Sequence, residues 1–408
     1  MKKNDRENII VLGLPRWDGR YSSTSLSLAQ ELSKQNNVFY IDNPFTVKEV
    51  VTNFRSKQIR SRLMALLYGS KKYKTADGFP NLTYVTPRMV IPVNFIPVNR
   101  LYDFFSSLND KLVYLCINDL FKMYEINDFI FINSYNPFYS LKFPSSFRPS
   151  LRVYHCVDDI SESKYVARHG VRLEKRIMRV SDFTLATSKE LVKLKTSHSK
   201  RIFYLPNAAN FKYFQKYSTD KKIENVANIG SGKSVIGYIG NICHRLDYQL
   251  LFEVIKKHRD KVFLFVGPVS NAEVKESGVF DLPNVIFVGS KPMKDLPKYL
   301  SRMDCTIIPF KRNKLTRSIY PLKINEYLSM GKPVVSTVFS EDIHQFKEYI
   351  SLENDSDRFS RAISKELNGD DNEKQERRIK VASTNTWESR AEEFWNIVKK
   401  FKLEQASQ

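Results

Sequence analysis

Short apolar runs alternate along this chain with stretches of helical periodicity, and the alternation leaves few folds open. Residues 8–13 form a strand-length apolar run. Residues 23–35 follow with Leu26, Leu28, Ala29 and Leu32 at mostly helical spacing, before a second apolar run at 38–41. This predicts a β-α-β unit. The pattern recurs between residues 129 and 205 as FIFIN, LRVYHC, a helix near 171–180, FTLAT, a helix from Lys189, and IFYL. A second series has VIGYIG, VFLFVG, VIFVG and TIIPF as strands, helical stretches near 250–257 and 296–302, and continues through residues 321–335. Such alternation predicts an α/β fold of parallel, doubly wound sheets covered by helices.

At 408 residues the chain exceeds one ordinary core, so two domains are expected. Between residues 216 and 234 apolar periodicity gives way to Lys, Asp, Asn, Gly and Ser, the composition of a linker or exposed crossover. The expected division is a first domain over 1–215, a linker over 216–234, a second domain over 235–385 and a terminal helix over 386–408. Two doubly wound halves would face each other across a cleft between the carboxyl edges of their sheets, where such folds bind ligands. Thr386 suits the cap of the terminal helix, and Trp387, Ala391, Phe394, Trp395 and Val398 give it an apolar face. It either docks on its own domain or crosses back to brace the first.

Sixty-five Lys and Arg against 44 Asp and Glu give a formal net charge of +21, which points to a polyanionic partner: nucleic acid, a phosphorylated ligand or an anionic membrane. Cys116, Cys156, Cys243 and Cys305 are too scattered for a zinc or disulfide framework and read as buried thiols of a reducing compartment. Asp5, Arg6 and Glu7 precede the first apolar run, which does not fit a secretory signal. No apolar stretch approaches the roughly 18 residues of a spanning helix, so a soluble or peripheral protein is expected.

The stretch KRNKLTRSIYPLKINEYLSMGKPVVST is the most informative. Pro321 suits a helix start, Gly331 its end and Pro333 its termination, which predicts a helix over 321–330. Lys323 falls in the first turn, where a cation opposes the helix dipole unless an anion shares the site. The preceding loop brings Thr316, Ser318 and Tyr320, with Lys314 and Arg317 beside them, so the segment has the chemistry of a phosphate site. Glu326 lies one turn deeper, where a carboxylate can accept hydrogen bonds from the vicinal hydroxyls of a ribose; a plain Lys–Glu surface pair is the alternative.

These residues resemble the donor-site helix of GT-B glycosyltransferases of the family 4, or "glycosyl transferases group 1", type. They are most similar to a bacterial subgroup of capsule, exopolysaccharide and teichuronic-acid assembly marked by P-L-K-x-x-E-Y-L-x-x-G-K-P-V-V. LGLPRWDG, VYHCVDD, SDFTLATSKEL, LPNAANFKYF, VIGYIGN, LFVGP and LPNVIFVGS resemble other motifs of that subgroup in the same order. The resemblance implies two Rossmann-like domains, the first binding an acceptor and the second a nucleotide-diphosphate sugar. It implies Lys323 as the main pyrophosphate cation, Arg245 as the second, and Glu326 on the ribose. The loop around Thr316, Ser318 and Ile319, and Gly240, would meet the donor's phosphates, Gly289 with Lys291 its base, and Gly13, Asp18 and Gly19 its sugar diphosphate. The sequence departs from the family in three places: Ser318 stands eight before Glu326 where many relatives have a second acidic residue, Asn241 stands in an arginine position, and Val157 precedes Asp158 and Asp159 where many relatives have His-Asp.

Transfer of a sugar from a nucleotide diphosphate builds negative charge on the departing phosphate, which N–H dipoles and cations can meet without a metal or other cofactor. Asp158 or Asp159, at a strand end, would bind sugar hydroxyls, deprotonate the acceptor or stabilise the developing cation, or else cap the next helix. Asn207 reads as a turn residue or a ligand. Segment 54–74 combines Arg55, Lys57, Arg60, Arg62, Lys71, Lys72 and Lys74 with Ile59, Leu63, Leu66 and Leu67 and has no acidic residue. It is expected to form a helix that lies on the inner, anionic face of the cell membrane, or a first-domain helix with a solvated basic face. The expectation is a metal-independent, retaining glycosyltransferase of the cytoplasm, working on a lipid-linked acceptor. A non-hydrolysing nucleotide-sugar 2-epimerase and a non-enzymatic polyanion-binding protein are the alternatives. No helix-turn-helix, finger or RNP-type motif supports nucleic acid.

Overall fold

The computed structural model describes residues 6–19, 23–218, 229–230, 232–270 and 273–407. The chain divides into two compact units: 1–187, 191–205 and 394–408 form the first, and 188–190 with 206–393 form the second.

The first unit holds an eight-stranded sheet: β1 (Asn8–Gly13), β2 (Asn37–Ile41), β3 (Tyr73–Ala76), β4 (Phe79–Val85), β5 (Ile130–Ser134), β6 (Leu151–Cys156), β7 (Phe183–Ala186) and β8 (Ile202–Tyr204). Their spatial order is β3-β4-β2-β1-β5-β6-β7-β8, parallel throughout except for the β3–β4 pair. The strands at the centre of this sheet are apolar on both faces because helices cover both, as a parallel sheet requires. The helix Asn99–Tyr124, 26 residues long, buries Val113, Ile117 and Leu120 against Ile10, Leu12 and Phe131. The second unit holds six parallel strands, β9 (Val235–Ile239), β10 (Val262–Val266), β11 (Val285–Gly289), β12 (Cys305–Ile308), β13 (Val334–Ser336) and β14 (Ser351–Leu352), in the order β11-β10-β9-β12-β13-β14. Strand order reverses at β1 in the first sheet and at β9 in the second, and the crevice at such a reversal is the usual ligand position in open α/β sheets.

Two expectations need correction, and a third falls largely outside the described residues. The division falls near residue 205, before the expected boundary at 215, because helix Phe211–Ser218 buries Phe214 in the core of the second unit. Of the expected linker, 219–228 and 231 lie outside the described residues. Segment 54–74 is not one helix: it is two short helices, Lys57–Arg60 and Leu63–Tyr68, followed by the edge strand β3. The break has a long-range cause, since Arg62 turns inward to meet Asp18 at 2.6 Å and Asp42 at 3.4 Å. Left-handed Gly69, at φ +68°, then ends the second helix.

The terminal helix Trp387–Ala406 is capped by Thr386, whose Oγ1 accepts from the Ser389 N–H at 3.1 Å. From Phe394 onward it is counted with the first unit, where Phe401 meets Phe183 at 5.3 Å between ring centres. Among the described residues no helix is long and apolar enough to cross a membrane.

Candidate active site

In the second unit three neighbouring strands end in glycine. Gly240 follows β9 and donates its N–H to Val266 O at 2.9 Å; Gly267 follows β10 and donates to Gly289 O at 2.9 Å. A Cβ on Gly267 would stand 1.8 Å from the Gly240 carbonyl oxygen, so only glycine lets the two strand ends approach this closely. Gly289, at φ +76°, faces open space. The loop after Gly240 is held on both flanks. Ile242 N–H donates to Pro268 O at 2.9 Å, Ser270 Oγ to Asn241 Oδ1 at 2.9 Å, and Lys311 N–H to Arg245 O at 2.8 Å. Asn241, in the family's arginine position, therefore braces a loop, while Arg245 lies four residues on.

The helix Leu322–Ser329 follows β12 across the strand reversal. Tyr327 pins it to β9 by accepting from Ile239 N–H at 2.9 Å and donating to Ile239 O at 3.3 Å. Lys323, in its first turn, reaches over the glycine edge so closely that a Cβ on Gly240 would lie 2.1 Å from Lys323 Cε. Its ammonium faces the rings of Tyr238, at 5.6 Å, and Phe310, at 5.7 Å. Burial lowers the Lys323 pKa; Glu326 pulls it up and the Arg245 guanidinium pushes it further down. Burial raises the Glu326 carboxyl to about 7 against the pull of Lys323. Two cations and one half-buried carboxylate thus share a small space in which the like charges repel. An added anion would relieve that repulsion.

The remaining second-unit candidates divide by what they touch. Thr316 is buried and forms a capping box with Asn313, its hydroxyl donating to Lys311 O, so it shapes the loop and does not present an oxygen to a ligand. Ser318 is buried too, and Ile319 packs against the core. Lys291 lies 5.8 Å over the Tyr299 ring, two residues after Gly289. Asn207 is buried, its carbonyl accepting from Asn325 at 3.4 Å.

The first-unit candidates are tied into the fold. Gly13 ends β1 where a Cβ would meet the Tyr40 hydroxyl at 2.1 Å, so its smallness serves packing. Asp18 accepts from Arg62 and Gln58, both at 2.6 Å; burial raises its pKa but the Arg62 and Gln58 bonds outweigh it and hold the carboxyl below its ordinary range. Gly19 closes a turn onto Arg16 O at 3.0 Å. Asp159 takes the capping alternative: it caps the turn Ile160–Glu162 through Ser161 N–H at 3.1 Å and pairs with buried Lys195 at 3.4 Å. That leaves Asp158, partly exposed and accepting from Asp159 N–H at 3.0 Å, as the acidic candidate. His155 is buried and bonded to Ser134 at 3.0 Å, and burial pushes its pKa down to about 4, which keeps the ring neutral. Among the described residues no group of three or more His, Cys, Asp or Glu is placed to hold a metal ion.

Three features escape the sequence reading. Gly267 repeats the strand-then-glycine pattern of Gly240, and that repetition is the signal that could have found it. Asp42, buried and raised to about 7 by desolvation against the pull of Arg62, leaves no local trace. Tyr135 adopts a left-handed φ of +60° with its N–H on His155 O at 2.9 Å, a backbone uncommon for a bulky residue and invisible to periodicity.

Residues 233–368 match the family described as Glycosyl transferases group 1. A Bacillus subtilis protein named as the teichuronic acid biosynthesis glycosyltransferase TuaH is 31% identical over 226 residues, covering 52% of this chain and 56% of its own. The chain thus spans about half the length of the curated relative it matches. Sucrose-phosphate synthase of Thermosynechococcus elongatus superposes with a TM-score of 0.67 at 14% identity, covering 98% of this chain and 100% of its own. Anabaena HepE, in complex with UDP and glucose, superposes with a TM-score of 0.61 at 13% identity, covering 96% and 99%. At such identity the two structural likenesses speak of fold. The chain has the GT-B fold, and the residues that match the Glycosyl transferases group 1 model, the family its motifs resemble, all lie in its second unit.

Proposed function

We propose that this protein is a glycosyltransferase that moves a sugar from a nucleotide-diphosphate sugar to a lipid-linked glycan in bacterial surface polysaccharide synthesis. One observation carries the reading: Lys323 stretched across Gly240, with Arg245 close enough to depress its pKa and Glu326 one turn deeper. As the bond from the anomeric carbon to the phosphate oxygen breaks, charge gathers on the diphosphate, and Lys323 and Arg245 stabilise it there. Glu326 as carboxylate accepts from the two ribose hydroxyls. Asp158 is the residue available to orient a sugar hydroxyl or take the acceptor proton. The name of the Bacillus relative supports the polysaccharide setting.

The reaction is proposed to retain anomeric configuration and to need no metal. Turnover that disappears in excess chelator and returns with a divalent cation would overturn the second point. Membrane contact is proposed through Arg55, Lys57, Arg60 and Lys71, all exposed, beside exposed Phe54, Leu67 and Tyr68. Arg62 is excluded from that surface because it is buried against Asp18 and Asp42. The test is a thermal-shift screen of nucleoside diphosphates and nucleotide sugars, repeated with Glu326→Ala. A stabilising nucleotide whose effect Glu326→Ala leaves intact would remove the ribose contact.

A further inference from the structure

A cavity of about 390 Å³ lies wholly within the first unit, a size suited to a small organic group. It is lined by Leu14 and Pro44, just beyond the ends of β1 and β2, and by Val93, Tyr102, Phe138 and Tyr139. Polar side chains line it too, among them Asn43, Thr46, Asn94, Ser106 and Asn109. Asn94 is nine-tenths buried: its Nδ2 donates to Tyr165 O at 2.7 Å, while its Oδ1 is enclosed without a hydrogen-bond partner. The charged residues lining the cavity, Lys48 and Glu49, do not make it a phosphate site. Glu49 is held by Arg16 at 3.2 Å and by the cap at Thr46, and Lys48 is exposed.

The surroundings say what kind of ligand comes. Ile91 and Tyr165 line the cavity and are also 39% and 68% exposed. Exposed Val47, Phe95 and Leu101 adjoin lining residues in sequence, namely Thr46, Asn94 and Tyr102. Of the 22 exposed large hydrophobic residues among those described, eleven fall between 47 and 104. Apolar exposure is thus denser along this stretch of the sequence than elsewhere among the described residues. The same stretch exposes Lys48, Arg55, Lys57, Arg60, Lys71 and Arg100, so its charge complements an anionic bilayer.

We infer that this cavity takes the first carbons of the acceptor's hydrocarbon chain. The inference rests on the acceptor being lipid-linked and names the part of it that the protein reads. Calorimetric titration of the full chain with alkyl β-glucosides of two to ten carbons, below their micelle concentrations, tests it. Affinity should rise about fourfold per methylene until the cavity fills, and then level off. Ser106 lines the cavity with a small side chain, and Ser106→Phe should flatten the series while leaving nucleoside-diphosphate affinity within twofold. Val93→Phe, from the opposite segment, serves as a second blocking variant, with a melting curve for each.

An affinity independent of chain length in the unaltered protein overturns the inference, as does a length series that both folded variants leave unchanged. Glucose binding as tightly as decyl glucoside would make this a sugar pocket and also overturns it. The proposed glycosyltransferase reading fails separately: it falls if no nucleoside diphosphate binds, whatever the glucoside series shows.

Discussion

The carboxyl edges of the two sheets are built from the same kind of residue and put to different uses. At both, a strand runs into glycine. Beyond Gly13 in the first unit stands the Tyr40 hydroxyl, and Asp18, Arg62 and Asp42 close on one another behind it. Beyond Gly240 in the second unit stands a lysine over two ring faces, with the Glu326 carboxylate and the Arg245 guanidinium as electrostatic neighbours. One edge closes its guanidinium in ion pairs with two carboxylates, and the other holds two cations near one carboxylate, an excess of positive charge. An imbalance held in a half-buried setting is the physical mark of a site that a ligand completes.

The largest effect that sharpens this contrast comes from the balanced edge. Arg62→Ala leaves Asp42 buried without its cation and should lower unfolding free energy by about 3–5 kcal/mol, read by urea melts. Nucleotide affinity of the molecules that remain folded should be unchanged. Next come the glycines. Gly13→Ala places a Cβ against the Tyr40 ring and should cost about 1–3 kcal/mol of stability with no effect on nucleotide affinity. Gly240→Ala meets the end of a flexible lysine at a φ of +150°, so it should weaken nucleotide binding about tenfold by displacing Lys323. If the two variants had the same profile, the two edges would not differ in function.

A smaller effect follows from Glu326, whose carboxyl is lifted from an ordinary 4.5 to about 7. Between those values the folded chain binds a proton that the unfolded chain does not, so this group's contribution to stability falls as pH rises from about 4.5 to 7. A ligand that requires the carboxylate displaces that proton. Its affinity should rise up to about tenfold per pH unit below 7 and level off above, and Glu326→Gln should remove this part of the slope. Smallest of all, neutralising any one of Arg55, Lys57, Arg60 and Lys71 should weaken binding to phosphatidylglycerol vesicles by about 1 kcal/mol, measured by flotation, and leave vesicles of phosphatidylcholine unaffected.

The second unit was the more legible in sequence because its determinants are local. Pro321 and Gly331 bracket the helix that carries Lys323 and Glu326, and three of the strands, β9, β10 and β11, are compact apolar runs that end in glycine. The first unit hides its logic in distance. Nothing around residues 54–74 announces that Arg62 is drawn inward by partners 44 and 20 residues away, so a basic, leucine-bearing stretch read as one helix. The sequence does not announce helix Asn99–Tyr124, because its buried positions include Ser106, Asn109 and Asp110 beside the apolar ones, which blurs the 3.6-residue period. Asp159 was legible only as a choice between cap and catalyst, and Lys195, 36 residues away, belongs to the answer. Composition told of a polyanion without saying where the charge would be used.

The most direct test of the unbalanced edge is calorimetric titration of the full chain with uridine, guanosine, adenosine and cytidine diphosphates at moderate and high salt, alongside Lys323→Ala. The account predicts saturable, one-to-one binding of at least one nucleotide that persists at high salt, weakened about a hundredfold or more by the substitution. Binding that fades steeply with salt for every nucleotide, and that Lys323→Ala leaves unchanged, would contradict it and return the charge of this chain to a diffuse attraction for polyanions.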